Sequence, residues 1–472
     1  MIITRFAPSP TGELHIGSAR SALFVYLFAK NQGGKFLLRI DDTDRERYVL
    51  GASERIVESL TWLGIIPDNL TEIIVQSKRL DIYKKYALEL IEKGHAYICV
   101  CDKEKQEEER KAQIAKRLPQ MYGEHCRDLN IKSEEVVGKK YVIRMKMPKE
   151  GIIKFNDLIR GDIEFDSSLV DDQVLLKSDG FPTYHLATVV DDYEAGITHI
   201  LRAEEWLSST PKHIVLFNMF GFDIPKFAHL PQVLAPDRSK LSKRHGATSV
   251  IEYKNLGYPP EAIVNFLALL GWHPKDDREI FSKDDLIKEF DLFRIQKGGA
   301  IFDFNKLNWL SKKYISEIIS TEEIVKRGQE FVPPEWILTP SIISAVKTRL
   351  EKLADLKEVV RLFFVTPDYP TDMLYFKGEQ ESAKENLERL LTTIQSTDIS
   401  NAENLKTSIF AIIPEGERGE YLWPLRVALS GAKESPGPFE IMEGLGKEES
   451  ISRIKQAIEK IKTASDDNNK SL

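Results

Sequence analysis

Two short segments carry residue types that handle a triphosphate. The first, TRFAPSPTGELHIG (4–17), follows a strand-like start. Pro8 and Pro10 fix an extended-then-turn backbone, and Gly12 permits a tight bend. A helix then begins around His15-Ile16-Gly17, where unpaired N–H groups and a partial positive charge suit phosphate oxygens. His15 is placed to donate to those oxygens, and Gly17, with no side chain, leaves its backbone open to a flat adenine. The second segment is Lys240-Leu241-Ser242-Lys243-Arg244, inside DRSKLSKRHG (237–246), a patch with four basic side chains and one acid. Mobile lysines neutralise the charge that develops when a phosphorus is attacked; Lys243 is the expected main contact, with Lys240 and Arg244 assisting. Taken singly, each segment has an ordinary explanation, a satisfied histidine at a helix start or a solvated basic loop. A third cluster is Cys99-Val100-Cys101 with Cys126, which holds every cysteine of the chain. Thiolates so close suit zinc, which takes four ligands in a structural site. The competing explanation is a metal-free remnant of small apolar side chains.

Such residues need a scaffold, and hydrophobic spacing describes one. Ile2–Phe6 reads as a strand and Gly17–Asn31 as a helix, with Ala19, Leu23, Tyr26 and Leu27 at helical spacing. Lys35–Ile40 reads as a second strand, Ser53–Leu63 and Leu80–Lys93 as helices. That β-α-β-α order predicts an α/β fold, a doubly wound, Rossmann-like parallel sheet. From about 98 to 180 the cysteine cluster, a charged helix over 103–117 and β-like runs at Tyr141–Met147 and Ile159–Phe165 predict an α+β insertion. Alternation resumes near 181 and reaches the basic loop; beyond about 250 strands are expected to give way to an all-α C-terminal region. There Ser282 is an N-cap and Ser320 with Glu323 makes a capping-box pattern. Thr339-Pro340 opens a helix with Ile342, Ile343, Val346, Leu350, Leu353 and Leu356 on one face. The tail SDDNNKSL is too polar to pack, so disorder is expected.

Composition sets outer bounds. A chain of 472 residues needs several domains, and 42% hydrophobic with 29% charged residues excludes wholesale disorder. Apolar stretches such as AIVNFLALLGW (262–272) are too short for a bilayer, so no membrane partner is expected. The start on MIITRFA lacks a basic-then-apolar leader, which points to a bacterial cytoplasm. A net charge of −7 leaves nucleic-acid binding open, because local basic patches decide it. Three cysteines exclude a disulfide framework.

The pairing of a histidine-glycine helix start with a distant K-L-S-K-R loop on a sheet-helix scaffold resembles the two signatures of class I aminoacyl-tRNA synthetases. Within that class, RFAPSPTGELHIG, RIDDTDRERYV, LLKSDGFPTYHLA, VVDD, RAEEW, STP, KLSKR and ALSGAKESPGPFEI resemble the bacterial-type glutamyl-tRNA synthetases, from residue 4 to about 441. The related glutaminyl enzymes usually have PPEPNG where this chain has Ala7-Pro8-Ser9-Pro10-Thr11-Gly12. The resemblance implies ligation of L-glutamate to tRNA-Glu through a glutamyl-adenylate, with ATP accompanied by Mg2+ and AMP and pyrophosphate released; tRNA-Gln stays open as a second acceptor. It implies ATP contacts at Pro8, Ser9, Thr11, Gly12, His15, Gly17 and Lys243. Glutamate has two carboxylates and one ammonium, so its site needs fixed cations and an acceptor. Arg5 and Arg202 can each grip a carboxylate, Tyr184 can add a hydroxyl, and Ser9 and Asp41 can receive the α-ammonium. Thr188 belongs to the same pocket in the family pattern. Two positions depart from that pattern: the family usually has Glu where Asp41 stands and Asn where Thr188 stands. Trp206 is expected at the pocket wall near the tRNA end, with a plain core tryptophan as the alternative.

Relatives share the Cys-x-Cys and later Cys spacing, which implies zinc on Cys99, Cys101 and Cys126. For the fourth ligand Tyr122, His125 and Asp128 are candidates, and Tyr122 is favoured because Tyr-x-x-x-Cys recurs in the family. The domain expectation is a split catalytic domain (1–97 and 181–250), an acceptor-end-binding insertion (98–180), a helical stem-contact domain (251–320) and an all-α anticodon-binding domain (321–472). Arg349, Lys352 and Lys357 are candidates to face the anticodon loop. The family is usually monomeric and binds tRNA before activating the amino acid. Rival readings are a catalytically retired RNA-binding paralogue, a truncated relative that glutamylates a tRNA base, and a nucleotidyltransferase sharing only the histidine-glycine start. The presence of 321–472 argues against the second, and the full set of stretches against the third.

Overall fold

A computed structural model describes residues 1–118, 120–377, 380–397 and 402–470, without the side chains of 103, 243, 380, 381, 402 and 465–470. The chain divides into two compact units, residues 1–252 with 263–304, and residues 253–262 with 305–472.

In the first unit Ile3–Phe6 pairs in parallel with Lys35–Ile40, which pairs in parallel with Ile74–Val75. A second parallel ladder runs from His199–Ala203 through Lys226–Leu230 to Ile152–Asp157. The ladders meet at Thr198, whose N–H donates to the Ile3 carbonyl at 2.9 Å and whose hydroxyl accepts from the Ile3 N–H at 2.9 Å. Strands of this kind are covered on both faces, so they read as apolar runs: Phe36, Leu38, Ile40, Ile200, Leu201, Phe227, Ala228 and Leu230 are all buried. The helix Ile16–Asn31 buries Ala19, Leu23, Tyr26 and Leu27 as spaced, and also Ala22, Phe24, Val25 and Ala29. The expected doubly wound parallel sheet is present.

The 98–180 segment departs from its reading. The strand expected at Ile159–Phe165 begins only at Gly161, and a preceding strand, Ile152–Asp157, joins the main sheet. The reason is local. The Asp157 carboxylate accepts the N–H groups of Ile159 and Arg160 at 3.0 and 2.9 Å, and Gly161 has φ +86°, so Leu158-Ile159 belong to a turn despite being apolar. A separate antiparallel sheet of Ala96–Cys99, Val142–Met145 and Val174–Leu176 carries the cysteine cluster. Strands also persist past 250, because Ala300–Ile301 pairs with Val233–Leu234. Gly299 makes that approach possible: a Cβ there would lie 2.5 Å from Leu234 Cδ1.

Ser282 caps Lys283–Glu289 in a complete box with Asp285. In the second unit only half of the expected box at Ser320 forms; Ser320 accepts the Glu323 N–H, while the Glu323 carboxylate takes Arg327 at 2.7 Å. The helix from Thr339-Pro340 stops at Val346, and a new one, Leu356–Val359, follows two short turns. Asp355 accepts the N–H groups of Glu351 and Lys352 at 3.1 Å each, which competes with continued helix. The six apolar residues are buried all the same. The tail was expected to be disordered, yet the helix Lys447–Lys470 carries the backbone through Ser465–Lys470; residues 471–472 lie outside the described residues. Ile454, Ile458 and Ile461 anchor that helix in the core beside Leu387, Leu390, Leu425 and Leu429. Arg453 is buried and donates to the carbonyls of Leu362 at 2.6 Å and Leu429 at 2.7 Å, tying two helix ends together. Among the described residues no helix is long and apolar enough to cross a membrane.

Candidate active site

A cleft of about 1390 Å³ opens in the first unit over the C-terminal ends of the parallel strands, where such sheets place their ligands. Arg5, Pro8, Ser9, Thr11, Gly12, His15, Asp41, Tyr184, Arg202 and Trp206 line it, so ten of the residues expected around ATP and glutamate share one cleft, which Cys99 and Cys101 also reach. The loop after Ile3–Phe6 is pinned by the Pro8 carbonyl, which accepts the Asp41 N–H at 3.0 Å and sets Ser9 against the end of the second strand.

At the helix start His15 is the N-cap, and its Nδ1 accepts the Gly17 N–H at 3.0 Å. The Ile16 N–H already donates to the Thr248 carbonyl at 2.7 Å. The first two donors of the helix are thus used, which corrects the expectation that they are free for phosphate. What stays available is Nε2 of His15, whose basicity burial and nearby Lys240 both lower. Gly17 is not on the cleft wall; a Cβ there would sit 3.3 Å from His15 Nδ1, so its smallness keeps that ring in place. Leu14 and Thr248–Val250 pair through Val250 N–H to Leu14 O at 2.9 Å and a bridge of His15 with Ser249. The first signature segment is therefore stitched to the chain just beyond the second.

The basic loop is shaped by a tight turn in which Arg238 has φ +62° and Ala235 and Ser239 exchange a 2.8 Å hydrogen bond. Lys240 is exposed and 3.6 Å from Glu205; Arg244 is exposed and donates to Ser239 Oγ and His245 Nε2. Neither lines the cleft. The backbone of Lys243 opens a short helical turn, Lys243–His245, and its side chain lies outside the described residues.

The cleft also holds three buried arginines with different partners. Arg5 makes a two-pronged ion pair with Asp192 at 2.9 and 3.3 Å. Arg39 grips both oxygens of Asp41 at 2.6 and 3.1 Å, bonds Asp192 at 2.7 Å and donates to Thr188 Oγ1 at 3.3 Å. Thr188 is consequently buried behind Arg39 and is not on the cleft wall. Burial pushes the Asp41 carboxyl up to about 6 against the pull of Arg39, and Asp191 adds to the push. Burial also disfavours the Asp192 charge, but Arg5 and Arg39 outweigh it and hold that carboxyl below its ordinary range.

Arg202 is different. It is 7% exposed, and among the described residues no carboxylate forms an ion pair with it. Its donors go to Tyr184 Oη (3.0 Å), Thr210 Oγ1 (2.8 Å), the Trp206 carbonyl (3.2 Å), His213 Nδ1 (3.2 Å) and His229 Nε2 (3.1 Å). All five partners are neutral acceptors. A guanidinium has no acceptor of its own and stays charged, so a buried cation is left without a counter-ion at the cleft wall. Trp206 is 37% exposed and packs at a tilt against Tyr184 with ring centroids 4.3 Å apart, a wall rather than a core residue.

The catalytic-domain model of class I tRNA synthetases (E and Q) matches residues 1–309, and an anticodon binding domain model matches residues 306–458. The chain is a class I aminoacyl-tRNA synthetase of the glutamate and glutamine group. It is similar to a protein of Thermoanaerobacter pseudethanolicus named glutamate–tRNA ligase 2, 45% identical over 468 residues, covering 96% of this chain and 97% of that one. A Dehalococcoides mccartyi protein named glutamate–tRNA ligase is 42% identical over 478 residues, with 97% of each chain covered. Among solved structures, a glutamate tRNA ligase from Elizabethkingia meningosepticum in complex with its amino acid superposes with a TM-score of 0.87 at 37% identity, covering 97% of this chain and 99% of that chain. Class I synthetases use ATP with Mg2+.

The synthetase's cysteine sulfurs converge: Cys99, Cys101 and Cys126 have their Sγ atoms within 4.8 Å of one another. The Tyr122 hydroxyl lies 3.3 Å from Cys99 Sγ and 3.1 Å from Cys101 Sγ. Burial works against the Cys99 thiolate, but hydrogen bonds from Tyr122, the Cys101 backbone and Arg144 lower its pKa overall. His125 is exposed and engaged by Glu109, and Asp128 is exposed. Sequence reasoning missed the histidines around Arg202 and the Asp157 behind them; Asp157 and His229 meet across 72 residues, a separation that no local pattern announces.

Proposed function

We propose that this synthetase ligates L-glutamate to tRNA-Glu in two steps. The α-carboxylate oxygen of glutamate attacks the α-phosphorus of ATP, a new C(O)–O–P bond forms and pyrophosphate leaves. The 2′ hydroxyl of the terminal ribose then attacks the carbonyl carbon of the glutamyl-adenylate, and AMP leaves. No protein nucleophile takes part, so rate comes from positioning and charge stabilisation. The observation that carries the reading is the buried, counter-ion-free Arg202 beside the Tyr184 hydroxyl, a receptor for the side-chain carboxylate. At the other end Asp41 and Ser9 receive the α-ammonium, while Arg5 leaves Nη1 without a hydrogen bond among the described residues and accompanies the α-carboxylate. Thr188 acts on the pocket through Arg39. Pro8, Thr11 and Gly12 shape the ATP end, His15 Nε2 meets the phosphates, Gly17 keeps that ring placed, and Lys243 with Lys240 and Arg244 meets the charge developing at phosphorus.

Cys99, Cys101, Cys126 and Tyr122 fit a zinc ion by donor type and convergence, and zinc there would supply structural rigidity only. Residues 98–180 meet the acceptor end, 251–320 the stem and 321–472 the anticodon; the matched anticodon binding domain supports the last. The enzyme works as a cytoplasmic monomer. Charging of tRNA-Gln is tested together with the main reading: purified tRNA-Glu and tRNA-Gln are incubated with ATP and labelled glutamate, using the wild type and Lys243→Ala. Label on tRNA-Glu, reduced about 100-fold or more by the substitution, is expected. Label on both tRNAs makes the enzyme non-discriminating, and no label on either overturns the assignment.

A further inference from the structure

The cation at Arg202 is held by an apparatus the ligation chemistry does not itself require. Three neighbouring strands contribute to it. Arg202 lies on His199–Ala203, His229 is its register partner on Lys226–Leu230, and Asp157 ends Ile152–Asp157 on the far side. Hydrogen-bond logic fixes every proton. A guanidinium only donates, so His229 Nε2 must be the acceptor of Arg202 Nε–H at 3.1 Å. The proton of that imidazole is then on Nδ1, which donates to Asp157 Oδ2 at 2.6 Å. By the same rule His213 Nδ1 accepts from Arg202, and its Nε2–H donates to His185 Nδ1 at 3.1 Å. Asp157 and His229 are almost wholly buried. Asp157 is fixed further by the N–H groups of Ile159, Arg160 and His229 at 3.0, 2.9 and 3.0 Å.

From this geometry we infer that Asp157 and His229 are positioning residues for Arg202, and that they set the preference for a γ-carboxylate over a γ-amide. The inference rests on Arg202 being the receptor of the glutamate side chain. A carboxylate placed directly on Arg202 would neutralise it and remove the uncompensated charge that the substrate's carboxylate is to meet. Placing the acid one imidazole away leaves a negative charge close enough to stabilise the guanidinium while its donors stay in place. The imidazole also enforces polarity. With Asp157 as a pure acceptor, Nε2 presents a lone pair to Arg202; an amide at 157 can donate to Nδ1 and turn Nε2 into a donor facing a cation. Burial keeps His229 neutral although Asp157 pulls the other way, which preserves that lone pair. The turn after Asp157 adds a second tie, since Arg160 pairs with Glu204, two residues beyond Arg202.

The test is steady-state charging of tRNA-Glu by the full-length wild type, Asp157→Asn, His229→Gln and His229→Leu, with KM measured separately for glutamate, ATP and tRNA and glutamine tried as a competitor. Asp157→Asn and His229→Leu are expected to raise the glutamate KM about tenfold or more and to weaken the exclusion of glutamine by a similar factor, with ATP and tRNA KM within about twofold. His229→Gln keeps an acceptor for Arg202 and is expected to recover most of the loss. Urea midpoints identify any variant that fails to fold, and the remaining ones decide. Folded variants with wild-type glutamate KM, or with equal losses for all three substrates, overturn the inference while leaving the ligase assignment intact. A wild type that charges no tRNA with glutamate overturns both.

Discussion

The two ends of the proposed glutamate pocket are both lined by buried arginine, and they are built on opposite electrostatic plans. At the α-amino end Arg5 and Arg39 are neutralised inside the protein by Asp192 and Asp41, with Asp191 nearby. At the side-chain end the hydrogen-bond partners of Arg202 among the described residues are hydroxyl, carbonyl and imidazole groups. Internal ion pairs hold a scaffold in place, and removing one partner exposes the cost of the other. A cation with neutral partners is complete only when an anion arrives. In the proposed reading the difference separates arginines anchored by internal carboxylates from the one that waits for the substrate's, something residue type alone does not reveal.

The largest expected effect breaks the scaffold end. Asp192→Ala leaves two guanidinium groups short of their shared carboxylate, and urea denaturation should register a loss of about 3–5 kcal/mol. A loss below about 1 kcal/mol would mean that the pairs are not structural.

A pH profile comes next in size. With the Asp41 carboxyl held at about 6, its charge is available to the α-ammonium only above that value. The kcat/KM for glutamate, which reports the free enzyme, should fall about tenfold per pH unit below 6, and Asp41→Asn should flatten that limb at a low value. The stability contribution has the opposite sign. A folded carboxyl raised from 3.8 to about 6 binds its proton more tightly than the unfolded one, so its stabilisation is full below 3.8 and is lost as pH rises through 6. Activity and this part of stability should therefore slope in opposite directions between pH 4 and 6. A profile in which both rise together contradicts the assignment.

The smallest effect concerns the rim. Lys240 and Glu205 are at least half exposed and 3.6 Å apart, so Lys240→Ala should change stability by under about 1 kcal/mol. Any change in charging rate then belongs to chemistry rather than folding.

Much of this was legible in advance, and for identifiable reasons. The first strand, helix and second strand follow hydrophobic periodicity that burial on both faces enforces, and the signature segments are local. Ten residues expected around ATP and glutamate line one cleft because strand ends and helix starts fix them. What escaped reading depends on partners distant in sequence. Leu158-Ile159 look like strand residues, and only the side-chain bonds of Asp157 make them a turn. The Arg202–His229–Asp157 chain crosses three strands, and His229 and Asp157 taken alone are ordinary strand residues. Thr188 was expected to touch substrate, yet its hydroxyl accepts from Arg39, whose place in the RIDDTDRERYV stretch does not announce that contact. The N–H groups at Ile16 and Gly17 were expected to be open, and a carbonyl at Thr248 and the ring of His15 had already taken them.

The contrast between the two ends is tested most directly by replacing Arg202 with methionine and measuring, on one preparation, the kcat/KM for glutamate charging and the urea midpoint. Charging is expected to fall about 1000-fold with ATP KM unchanged, while stability stays level or rises by about 1 kcal/mol, because a buried cation without a counter-ion has been removed. Retained charging, or a collapse in stability like that of Asp192→Ala, would contradict the assignment of Arg202 as the receptor.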